Sequence, residues 1–373
     1  MADAIKHRWS IQHNYLAGIT AGDWLRLWRE NGVDALYWHR ALFITAVSLL
    51  NSFYRRREER LHHDAIARTE VTAPPLFVIG HWRSGTTHLH NLLAQDTAQF
   101  AFANTYQVVN PHTFLCTEEV NTRRFAALVP DKRPMDNVAL SFQSPQEDEF
   151  APLLLTFLSP YLGISFPRRE DYYERYLTFA DASPDEIARW KAGFLWFLKK
   201  LTLKYGNDRP LVLKSPTHTA RIKLLLELFP GARFVHIHRD PYTVFQSFQH
   251  YYDTAMWHTY LQRPPSAAAI NARILSRYTA LYDAYCAQRD LIPAGHFHEI
   301  RFTDLERDPV GEMRTLYDKL ALPGFAEFEL TLSRYVASLS DYEKNTFAPL
   351  TSEWRERVAR EWRRSFETWN YPI

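Results

Sequence analysis

The chain has 373 residues, 44 basic and 42 acidic side chains and 15% aromatic residues, enough for a large core in one large or two ordinary domains. A formal net charge of +2, with both signs spread along the chain, gives no reason to expect nucleic-acid binding, which needs a clustered basic face. The two cysteines, Cys116 and Cys286, are far apart and form neither a metal spacing nor a disulfide framework, so a reducing, cytoplasmic setting is expected.

In chain order, the start "MADAIKHRWSIQHNYLAG" has no continuous apolar core and does not read as a secretory signal. Residues 1–70 read as a helical segment packed on the rest, with Trp24, Leu25, Leu27 and Trp28 as an apolar face. Ala35 to Arg60 is apolar for a long way and ends in Arg55, Arg56 and Arg57. His39 and Arg40 interrupt it, and the run Ala41 to Leu50 is too short to span a bilayer. It reads as a buried or half-buried helix; the sharper alternative is peripheral membrane contact through 35–60, with the arginines at the headgroups.

A second region, 71–373, opens on "PLFVIGHWRSGTTHLHNLL". Leu76 to Ile79 is a short apolar run of strand formers, and His88 to Leu93 reads as a helix. Between them, Gly80, Gly85 and Thr87 match the triphosphate-binding pattern G-x-x-x-x-G-K-[ST], but Thr86 stands at the lysine position. Such a turn offers an anion several backbone N–H groups and the positive end of a helix dipole. Ser84, Thr86 and Thr87 add hydroxyls, and Arg83 adds a fork of donors. Support for magnesium is missing, since neither "LVLK" nor "FVHIH" ends in an aspartate.

Residues 104–207 read as a mostly helical insertion on the acceptor side, ending in a helix with a Ser183–Glu186 capping box, Pro184 in its first turn and Gly206 at its stop. Within it, Glu147, Asp148 and Glu149 are three adjacent acids between a proline turn and an apolar run. They read either as a solvated turn or as a partly buried source of a base. Strand then helix returns from Pro210 to Phe248 and again near His296 to Leu322. The expected fold is therefore α/β, a three-layer α/β/α with a central parallel sheet of P-loop nucleoside-triphosphate-hydrolase type and extra helices. Ligands in such sheets bind beyond the strand ends, where the loops after Ile79, Leu213 and His238 meet. His236 with His238, and His88 with His90, read as packed histidines rather than metal ligands.

The ordered set "RSGTTHL", "LKSPTH" and "RDPYTVFQS" is similar to the sulfotransferases that use 3′-phosphoadenosine 5′-phosphosulfate (PAPS), over roughly Leu76 to Thr97 and Pro210 to Leu322. The resemblance implies metal-independent in-line transfer of a sulfuryl group to a hydroxyl or amine. It implies that Arg83, Ser84, Gly85, Thr86 and Thr87 hold the 5′-phosphosulfate, and that Arg239 with Ser247, eight residues on, holds the 3′-phosphate. Lys214 and Arg83 would stabilise the transition state, and Lys344, in the polar loop Asp341 to Phe347, would cover the 3′-phosphate. For the base, His218 is taken ahead of Glu149, although it lies four residues after Lys214 rather than the family's two. The glutamate that other branches use after the first helix has no counterpart in "FANTYQVVNP", which offers only Asn104 and Gln107. Phe302 stands where the family often has tyrosine. The acceptor expected is a small molecule, a lipid, a phenol or a glycoside, from the aromatic content of the helical segments. The other classes weighed are a nucleotide phosphotransferase or hydrolase, which would bind ATP or GTP with magnesium, and a non-catalytic nucleotide-binding module.

Overall fold

A computed structural model of the chain describes residues 6–11, 14–126, 135–138, 140–340, 342 and 344–373. Five strands form one parallel sheet: β1 (Leu76–Ile79), β2 (Ala101–Phe102), β3 (Leu211–Lys214), β4 (Arg233–His238) and β5 (Phe297–Arg301), in the order β2-β3-β1-β4-β5. All four residues of β1 and of β3 are buried, as in a sheet covered by helices on both faces. Side chains alternate between two cores. Leu76 and Val78 pack with Leu89, Leu92 and Leu316 on one face, whereas Phe77 and Ile79 join Leu213, Phe234 and Tyr278 on the other. Strand order reverses around β1, whose carboxyl end is the switch point where such sheets bind ligands. The register sets Val78 beside Lys214 and Ile79 beside His236. Two-residue β2 has too little pattern to be read from sequence.

The helix Ala21–Asn31 buries Trp24 and Leu27, but Leu25 is 47% exposed. Trp24, Leu27 and Trp28 share one helical stripe and Leu25 lies off it, so the expected apolar face loses one member. The segment expected at 35–60 is a 3-10 turn, Ala35–Tyr37, followed by one long helix, Trp38–Arg68. It buries Ala41, Ile44, Ser48 and Asn51 on one side and exposes Leu42, Leu49 and Phe53 on another. Among the described residues no helix is long and apolar enough to cross a membrane. Lys200, on the helix Pro184–Tyr205, pairs with Glu58 in a buried contact and lies 4.4 Å from the Phe114 ring, which ties the long helix to the core. The helix Pro184–Tyr205 has the Ser183–Glu186 capping box and ends at Gly206, with φ 92°.

Candidate active site

The loop between β1 and the helix Thr86–Leu93 requires its glycines. Gly80 has φ +146° and an added Cβ would lie 2.4 Å from Ile237 O; Gly85 has φ +103° and its Cβ would lie 2.3 Å from the Phe302 ring. Between them Arg83 adopts φ +70°, uncommon for a side-chain-bearing residue. Gly80 N–H donates to Thr219 Oγ1 (2.7 Å) and Ser84 Oγ donates to His81 O (2.6 Å), so Ser84 shapes the loop with its hydroxyl. Leu89 N–H donates to Gly85 O (3.1 Å). The N–H groups ahead of it at the helix start are those an anion can use. Burial pushes the His81 ring down to about 3, so it stays neutral beneath the loop.

Two polar clusters flank this loop. In one, Arg83 Nε donates to Ser247 Oγ (3.0 Å) and Arg83 Nη1 meets Asp136 Oδ2 (2.9 Å). Arg239 Nη1 reaches Arg83 O (3.3 Å), and its guanidinium lies 4.2 Å from the Phe302 ring centre. Asp240 caps the helix Pro241–Thr254 by accepting from Thr243 N–H (2.8 Å), which sets the buried Ser247 two turns along, opposite Arg83. Burial pulls the Arg239 pKa below its usual value. Lys344 is at the rim, half exposed and paired with Glu306 (2.7 Å); Asp341 and Glu343 of the same polar loop lie outside the described residues.

In the other cluster Lys214 Nζ reaches Thr87 Oγ1 (3.4 Å) and Glu147 Oε1 (3.0 Å). Tyr161 Oη donates to Glu147 Oε2 (2.5 Å) and in turn accepts from Trp82 Nε1 (2.9 Å). Asp148 accepts from His218 Nε2 (2.6 Å); burial works to raise its pKa, but the His218 charge and hydrogen bond outweigh that and hold it low. Arg221 donates to both oxygens of Glu149 (2.6 and 3.0 Å) and lies 4.9 and 5.1 Å from the rings of Phe179 and Trp190. The three adjacent acids thus take three bases, one each, from the last residue of β3 and the stretch that follows it.

Exposure separates the three rungs. The Glu147 side chain is 16% exposed, while those of Asp148, His218, Glu149 and Arg221 are all 0%. His218 and Glu149, the bases expected from sequence, are therefore sealed in the interior with their own partners, and it is Glu147 that stands beside Lys214 and the loop. Arg83, expected at the transferred group, reaches Ser247 and Asp136 instead. Lys214 and Thr87 meet at 3.4 Å, and Arg239 and Ser247, expected as a pair, each touch Arg83, which was expected at the other end of the loop. Thr86 starts the loop helix and is buried. Asn104 and Gln107 form a reciprocal helix cap. The histidines of β4 have side-chain partners, His236 Nδ1 with Glu299 (2.8 Å) and His238 Nδ1 with Tyr371 (2.9 Å). Asp136 and Tyr161 were not singled out by sequence; nothing in their spacing marks them, because their roles arise only where distant segments meet.

A parallel sheet with an anion-binding loop at its switch point, flanked by two cationic clusters, defines a P-loop-like group transferase. A family model described as the sulfotransferase family matches residues 74–327, and the chain belongs to that family. Over 356 residues it is 36% identical to the omega-hydroxy-beta-dihydromenaquinone-9 sulfotransferase Stf3 of Mycobacterium bovis and of Mycobacterium tuberculosis, covering 95% of this chain and 90% of each relative. The fold is shared with the crystal structure of sulfotransferase STF1 from M. tuberculosis (TM-score 0.64, 18% identity, 96% of this chain and 94% of that one). It is also shared with STF9 from Mycobacterium avium (TM-score 0.65, 20% identity, 95% and 98%). The protein is a sulfotransferase.

Proposed function

We propose that the protein moves a sulfuryl group from PAPS to a hydroxyl of a lipid-type acceptor without a metal ion, with Glu147 as base and Lys214 as the cation beside the reacting oxygens. The observation that supports this reading is the pair of clusters on either side of one loop, Lys214 with Thr87 and Glu147 on one side and Arg83 with Ser247 and Arg239 on the other. Bound donor supplies a sulfur centre whose transferred group carries less negative charge than a phosphoryl group. The loop N–H groups with Thr86 and Thr87 hold the 5′ end; Arg83, Arg239 and Ser247 hold the 3′-phosphate. Glu147 receives the proton of the acceptor hydroxyl as its oxygen bonds to sulfur. Lys214 offsets the charge left on the departing phosphate oxygen as the old S–O bond breaks.

The acceptor class rests on two supports. The relatives at 36% identity are named for a hydroxylated menaquinone. The ground around Glu147 is aromatic: Tyr161 lies 5.4 Å from Phe150, which lies 5.5 Å from Tyr15.

A thermal-shift series tests the donor reading. 3′-Phosphoadenosine 5′-phosphate raises the melting point whether or not a chelator is present, because binding adds stability set by ligand excess over Kd, about 2.7 kcal/mol at a hundredfold excess. A larger, magnesium-dependent shift with ATP or GTP would point to phosphoryl transfer instead. Arg239→Ala loses a charge-assisted contact of about 1.5–3 kcal/mol, so affinity for the 3′-phosphorylated nucleotide falls roughly ten- to a hundredfold. Binding of the nucleotide without that phosphate stays unchanged in the same variant. Equal losses for both nucleotides, measured by calorimetry, would remove Arg239 from the 3′-phosphate.

A further inference from the structure

The outer face of the helix Trp38–Arg68 is unusual in its order. Trp38, Leu42, Leu49 and Phe53 are each more than half exposed, and Arg56 and Arg60 are exposed as well. At about 100° per residue these six positions fall within roughly 60° of arc. One continuous stripe is thus apolar for four turns and then basic. Trp9, 72% exposed, extends the apolar end, its ring 5.2 Å from that of His39. The neighbouring acids Asp23 and Glu59 are taken by Arg55 (3.6 and 2.8 Å), and among the described residues Arg56 and Arg60 have no ion pair.

We infer that this stripe docks the protein on an anionic bilayer surface, with Trp38, Leu42, Leu49 and Phe53 below the headgroups and Arg56 and Arg60 on lipid phosphates. The charge pattern chooses the occupant. In a second copy packed parallel, the arginines would face one another; packed antiparallel, they would be pressed against Trp38 and Leu42. A lipid surface offers apolar depth and negative charge together, and tryptophan favours that boundary. The helix that carries the stripe is also linked through its buried side to the proposed base. Asn51, on the buried side of the same helix, donates to Ala17 O (2.7 Å) and Ile19 O (3.0 Å). From that segment Tyr15 Oη donates to Tyr161 O (2.7 Å), and Tyr161 holds Glu147. The inference rests on the lipid-acceptor reading for its biological sense, but on the exposed stripe alone for its physics.

Flotation of the full chain, without donor or acceptor, with vesicles of equimolar phosphatidylcholine and phosphatidylglycerol tests it. The native protein floats with these vesicles and much less with phosphatidylcholine alone. Leu49→Asp/Phe53→Asp lowers partitioning about tenfold or more, with an unchanged melting point because both sites are exposed. Arg56→Gln/Arg60→Gln lowers binding to the anionic vesicles about fivefold per arginine. Native protein that stays in solution, or an aspartate variant that floats equally well, overturns the inference. So does light scattering that shows a native dimer split by the aspartate variant, since the stripe would then belong to a second copy. None of these results bears on sulfuryl transfer, which neither assay contains.

Discussion

Glu147→Gln lowers kcat by about two to four orders of magnitude, the span of a lost general base, while 3′-phosphoadenosine 5′-phosphate still raises the melting point as in the native protein. The amide keeps the shape of the carboxylate and one oxygen for Lys214 or Tyr161, so the loop and the donor site stay in place. It cannot accept the acceptor's proton. Single-turnover transfer with saturating donor is the measurement. A rate within tenfold of native would mean that the proton leaves by another route and that Glu147 only holds Lys214.

Two residues away the same chemical group has a different consequence. Arg221→Ala leaves Glu149 as a buried carboxylate without its cation, and breaking such a pair costs about 3–5 kcal/mol. Arg221 also donates to Tyr176 O (2.5 Å) and Leu177 O (3.2 Å), which lose their partner in the same step. The effect appears as a lower denaturation midpoint in chemical unfolding. Replacing both partners, Glu149→Leu with Arg221→Met, returns part of the loss, since no buried charge is then stranded. The two orphaned carbonyls keep that recovery incomplete. A single variant within about 1 kcal/mol of native, the scale of an exposed pair, would contradict a dry interior at this rung.

The alternating strands and helices, the long capped helix at Ser183 and the meeting of three loops at one sheet edge could all be read from residue order, because each rests on local signals. Glycines at 80 and 85 announce the loop, and Asp240–Pro241 announces the helix that carries Ser247. The base could not be chosen in the same way. Glu147, Asp148 and Glu149 differ by one position each, and which of them is open to a substrate depends on how a segment some seventy residues later packs against them. One signal was available: Lys214, His218 and Arg221 supply three basic side chains to match three acids. Pairing them in order assigns the outermost acid to the outermost base. The destination of the Arg83 side chain was illegible for a similar reason. Its fork points where Asp136 and Ser247 come from two other parts of the chain.

The loop has no lysine of its own, and the one that reaches it comes from a neighbouring strand. Lys214 arrives on β3, opposite Val78 of β1, so the positive charge is delivered across a strand seam instead of along the loop itself. Slipping that seam by one residue would turn the amine toward the other side of the sheet. Transplanting the glycine loop onto another scaffold would therefore move an empty cradle; the adjoining strand has to travel with it, in register, for the ammonium group to arrive.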